Sequence, residues 1–110
     1  MPAKPATLLL ALLVAGAASS ATAADVRAGR QVALMCQGCH GMDGISKQPD
    51  APNLAMQPEF YLEKSLRDYR SGARKHEQMN VAAQALTDQQ IANVAAYYAA
   101  IEIEVVKTPQ

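Results

Sequence analysis

The sequence has no tryptophan, and only four tyrosines and one phenylalanine among its 110 residues. A domain of this length with so few large side chains can build only a thin core, so a staple or a bound group is expected to complete it. An excess of charge of either sign is also missing, since ten basic side chains are matched by ten acidic ones. Proteins that grip nucleic acid carry a basic surplus to meet phosphate, so that class is excluded. Cysteine is scarce, and the two present, Cys36 and Cys39, stand three positions apart. A bridge between them would close a loop too small to staple a fold, which excludes a disulfide framework. Nothing in the chain reads as a βαβ unit.

What is present begins with the N-terminus. Lys4 precedes an unbroken apolar run over residues 8–18, and Ala21-Thr22-Ala23 has the small-x-small form that signal peptidase cuts after. The run is shorter than the roughly 20 residues that span a bilayer, so a cleaved leader over residues 1–23 is expected rather than a permanent membrane span. The remaining domain, residues 24–110, is then exported to the periplasm. Without Lys4 it keeps nine basic and ten acidic groups and stays close to neutral.

The periodicity of that domain predicts an all-α fold of about three main helices and one long loop. Asp25 suits the cap of a first helix with Val26, Gly29, Val32 and Ala33 on its apolar face, running into Cys36. From Gly38 to Pro58, glycines, prolines and Asn53 break any regular period, and a loop of that length in a small domain is expected to wrap around something. A second helix is predicted from Pro58 to a C-cap at Gly72, with Leu62, Leu66 and Tyr69 on one face. The third starts at a capping box, Thr87 with Gln90, and carries Ile91, Val94, Ala95, Tyr98 and Ile101 as its buried stripe.

Cys36-Gln37-Gly38-Cys39-His40 is the C-x-x-C-H pattern of covalent haem attachment. Side chains three apart on a helical turn point along one side, so both sulfurs reach the vinyl groups on one porphyrin edge. The next residue places its imidazole at the iron. A thiol–disulfide redox pair is the competing reading, but that chemistry favours a βαβ setting and a lowered thiol pKa.

With Gly29 ahead of CQGCHGMDG, then APNLA, Gln57, YLEKSL, DYRSGAR, Met79 and LTDQQIANVAAYYAAI, the chain resembles a class I monohaem cytochrome c. It is of the small bacterial kind that is also similar to one lobe of the dihaem cytochromes c. The resemblance covers essentially all of residues 24–110, and it implies one haem c joined through Cys36 and Cys39. It makes the carbonyl of Pro52 the expected partner of the His40 ring, and Gly29 with Tyr97 the expected crossing of the first and last helices.

Electron-transfer cytochromes of this class place a thioether opposite the histidine, which raises the reduction potential. Met35 and Met42 are tethered too close to the attachment site, whereas Met56 and Met79 can both reach. Met79, in the irregular stretch between the second and third helices, falls where the family ligand lies and is the expected metal ligand with His40. His76, three residues earlier, is the competitor. Met56 stands where related sequences tend to have glycine.

Two protein ligands leave no open position at the iron, so the resemblance implies an electron carrier rather than an enzyme. Expected partners are donor and acceptor redox proteins met by transient docking, with the chain monomeric; the alternative is the cytochrome subunit of a larger periplasmic oxidoreductase complex. Lys64, Arg67, Arg70, Arg74 and Lys75 form a basic run that could steer such docking. Acidic neighbours at salt-pair spacing, Glu63 to Arg67 and Lys64 to Asp68, favour a solvated, internally paired face instead.

Overall fold

The structure is a computed structural model that describes residues 1–4, 16–17 and 22–110. Most of the apolar run and part of the expected cleavage site therefore lie outside the described residues. No helix among the described residues is long and apolar enough to cross a membrane.

Among the described residues five helices follow in order: α1 (Val26–Ala33), α2 (Gln37–His40), α3 (Glu59–Ser71), α4 (Glu77–Gln84) and α5 (Asp88–Ala99). The three main helices expected from the sequence are α1, α3 and α5. Asp25 caps α1 by accepting hydrogen bonds from the backbone of Arg27 at 2.8 Å and Ala28 at 3.2 Å. Gly72 ends α3 in the left-handed region at φ +83°, a conformation that suits glycine. At α5 both halves of the Thr87–Gln90 capping box are formed.

Three details differ from the sequence reading. Within the segment between Gly72 and Thr87, expected to be irregular, residues 77–84 fold as α4, so Met79 lies in the first turn of a helix. Val26 is 44% exposed, because the buried face of α1 starts only at Gly29. Ile101 lies beyond the end of α5 and packs partly buried against the core from outside the helix.

Helix α1 packs on α5, and α3 packs on both α4 and α5, so the last helix is the common support. At the α1–α5 crossing Gly29 has no room for a side chain. A Cβ built there would collide with the backbone carbonyl of Asn93 and come within 2.9 Å of Tyr97 Cβ. Asn93, buried on α5, accepts hydrogen bonds from Asp25 N and Gln89 Nε2, both at 2.9 Å, and so pins the start of α1 to the last helix.

The buried core comprises Val32, Ala33, Leu62, Leu86, Ile91, Val94, Ala95 and Tyr98. Tyr98 is its one aromatic member. The thin core expected from composition is therefore what the fold has, and it is arranged as the wall of a hollow.

Candidate functional site

The short helix α2 sets the geometry of the attachment motif. Cys36 is its N-cap, and the backbone N–H of His40 donates to the Cys36 carbonyl at 3.0 Å. One helical turn thus carries both thiols and the imidazole, and Cys36, Cys39 and His40 all line a single cavity of about 560 Å³. That volume falls within the roughly 300–1,000 Å³ typical of cofactor clefts.

His40 is 7% exposed, and its Nδ1 donates to the carbonyl of Pro52 at 2.8 Å. A carbonyl only accepts, so the proton sits on Nδ1 and the lone pair of Nε2 is left for another partner. Across α3, Leu62 and Leu66 add apolar wall, and from α5 Val94, Ala95 and Tyr98 do the same. Met79 reaches the same cavity from α4. The structure thus brings Cys36, Cys39, His40, Pro52 and Met79 to one place.

Met56 is not among the lining residues; the residue is 52% exposed and its backbone is left-handed at φ +57°. That conformation favours glycine and accounts physically for the glycine expected there in related sequences. His76 lines the cavity too, but it is the N-cap of α4, and its Nδ1 accepts from Met79 N at 3.3 Å.

Several contacts at the site were not read from the sequence. Tyr98 donates its hydroxyl to the Gly41 carbonyl at 2.9 Å, and Tyr97 donates to the Met42 carbonyl at 2.7 Å. These bonds tie the loop leaving His40 to the last helix. Arg74 places a cation at the cavity wall, with its guanidinium 4.7 Å from the Tyr69 ring centroid and its Nη1 bonded to Ser65 Oγ at 3.3 Å.

Burial pushes the Cys36 thiol up to about 11. A thiol–disulfide catalyst needs a stabilised thiolate, so the environment of Cys36 opposes that chemistry. It suits a sulfur held as a neutral thioether. A planar macrocycle with an iron centre and carboxylate arms fits the donors present: two thiols on one turn, a free imidazole lone pair, a thioether, apolar walls and the Arg74 cation.

Comparisons with known proteins agree with that chemistry. The family model described as cytochrome c matches residues 26–101. The chain is 40% identical over 99 residues to cytochrome c4 of Pseudomonas aeruginosa, covering 90% of this chain and 48% of that protein. It is 43% identical over 83 residues to cytochrome c-554(548) of Halomonas halodenitrificans, covering 73% of this chain and 100% of the other. Among solved structures, reduced recombinant cytochrome c4 from Pseudomonas stutzeri superposes with a TM-score of 0.68 at 36% identity, covering 73% of this chain and 47% of that one. The chain therefore spans about half the length of the cytochrome c4 relatives it matches.

Proposed function

Because this chain belongs to the cytochrome c family and carries haem c through Cys36 and Cys39, we propose that it is a periplasmic one-electron carrier with His40 and Met79 as iron ligands. The leader over residues 1–23 is removed on export, which leaves the domain over residues 24–110. The observation that carries this reading is the single cavity on which the C-x-x-C-H turn and the Met79 thioether converge.

When bound, the haem supplies a reversible ferrous–ferric couple. The chain's own residues determine how that couple is held. Pro52 fixes the His40 ring through Nδ1, which sets its orientation and raises its donor strength. The Met79 sulfur favours the reduced state relative to a second imidazole. Leu62, Leu66 and Val94 limit water at the site, which also tunes the potential. His76 serves as a helix cap in this reading, since its Nδ1 lone pair is taken by the Met79 N–H.

With His40 and Met79 as its ligands, the haem iron would have no position left for oxygen or a substrate. The chain is then a shuttle rather than an enzyme, a monomer that meets donor and acceptor proteins through small, transient contacts. The basic run supports little steering of its own. Lys64 pairs with Asp68, Arg67 with Glu63 and Asp88, and Arg70 with Asp88, all within this chain.

Visible spectra of haem-loaded protein, recorded oxidised and reduced after acid–acetone extraction, test the reading. Retained colour with sharp reduced bands and a weak ferric sulfur-to-iron band is the expected result. Met79→Ala should lose that weak band and bind carbon monoxide when reduced. A band that survives in Met79→Ala would move the ligand to Met56, a parent protein without the band would point to His76, and colour lost on extraction would sink covalent attachment.

A further inference from the structure

Next to Met79, the side chain of Asn80 uses nearly all its hydrogen-bonding capacity on backbone. Its Nδ2 donates to the carbonyl of Tyr69 at 2.7 Å and to the carbonyl of Arg74 at 2.8 Å. Its Oδ1 accepts from His76 N at 2.7 Å. Those partners belong to three separate stretches: the C-terminal turn of α3, the turn that follows Gly72, and the cap of α4. One amide therefore joins the end of one helix to the start of the next, and the joint is the backbone that carries Met79.

We propose that Asn80 is a positioning residue that holds the first turn of α4 so that the Met79 sulfur stays at the iron; this rests on Met79 being the ligand. A thioether is a weak donor, and external bases displace it when the segment bearing it swings away. An amide that donates to two carbonyls and accepts from one N–H leaves that segment no independent movement. Both donors are required, because only an NH₂ group can satisfy the Tyr69 and Arg74 carbonyls together. Alanine would remove all three bonds, and aspartate would set an oxygen against both carbonyls.

The test is imidazole binding to the ferric haem protein, with the weak ferric sulfur-to-iron band and the melting temperature read alongside. Asn80→Asp and Asn80→Ala should each raise imidazole affinity by roughly tenfold or more and weaken the band, as expected for the loss of two or three hydrogen bonds. Thr87→Ala, which removes the cap of α5, serves as a control that lowers the melting temperature without changing imidazole affinity. Parental affinity in both Asn80 variants, or an equal rise in Thr87→Ala, overturns the proposal. If Met79→Ala itself keeps the band, the ligand assignment has failed instead, which is a separable result. The unmutated haem protein gives a second measurement by NMR. Slow solvent exchange of the Asn80 side-chain amide protons supports the latch, and fast exchange rules it out whether or not the variants fold.

Discussion

Gly29, Met56 and Tyr98 each hold a position whose geometry forecasts what substitution would do. At Gly29 a methyl group has nowhere to go except into the Asn93 carbonyl, so α1 and α5 would have to separate. Gly29→Ala should cost about 2–3 kcal/mol, read as a fall in denaturant midpoint; an unchanged midpoint would show that the crossing relaxes freely. Met56 presents the opposite case. Its left-handed backbone strains an L side chain that fills no part of the cavity. Met56→Gly should therefore stabilise the protein by up to about 1 kcal/mol with an unaltered spectrum, and a loss of stability would mean the side chain contributes packing. Burial raises the Tyr98 hydroxyl pKa well above its ordinary value, so it stays protonated as a donor to Gly41. Tyr98→Phe should lose about 1–2 kcal/mol of stability while the haem stays attached. The attachment residues were legible in the sequence because covalent chemistry demands a fixed local spacing. The tyrosine bonds were not, because they join residues 55 and 57 positions apart and spacing alone carries no such information.

Helix boundaries followed the strength of their local signals. Gly72 and the Thr87–Gln90 box were readable because each stops or starts a helix through its own backbone chemistry. The helix carrying Met79 was missed. Its cap is His76 rather than the usual serine, threonine or aspartate, and Ala83 is its one buried residue, so no apolar stripe announces it. The start of α5 also carries an electrostatic joint, where Asp88 bonds both Arg67 and Arg70 of α3. The bond from Arg70 is the chief cause of the lowered Asp88 pKa, with the charges of both arginines adding to it. A carboxylate with a depressed folded pKa contributes stability above its unfolded value, about 3.9, and loses that contribution as pH falls through the folded value. The group is exposed, so solvent and salt screen it. Asp88→Asn should lower the melting temperature by no more than about 3 °C at neutral pH, and the gap from the parent should close below about pH 4 or in high salt. A gap that persists in acid would place the effect outside the ion pairs.

For the whole molecule the decisive quantity is the cavity. Core residues Leu62, Leu86, Val94, Ala95 and Tyr98 line its volume of about 560 Å³, which the chain's own side chains leave unfilled. Protein prepared without haem, or as a Cys36→Ser, Cys39→Ser double variant, should therefore show no cooperative thermal transition by calorimetry. A sharp transition in either would mean the helices close upon themselves. The lack of large side chains noted in the sequence already pointed here, because a chain that cannot fill its own interior implies that something else does. The reliance of α1 on α5 has a consequence in time. Synthesis proceeds from the N-terminus, and the tyrosines that secure Gly41 and Met42 follow them by 57 and 55 residues. Until those tyrosines emerge, the loop leaving His40 lacks the two hydrogen bonds that tie Gly41 and Met42 to the last helix. The last helix is thus a closing door: the loop beside the attachment motif is secured only when the final stretch of the chain has arrived.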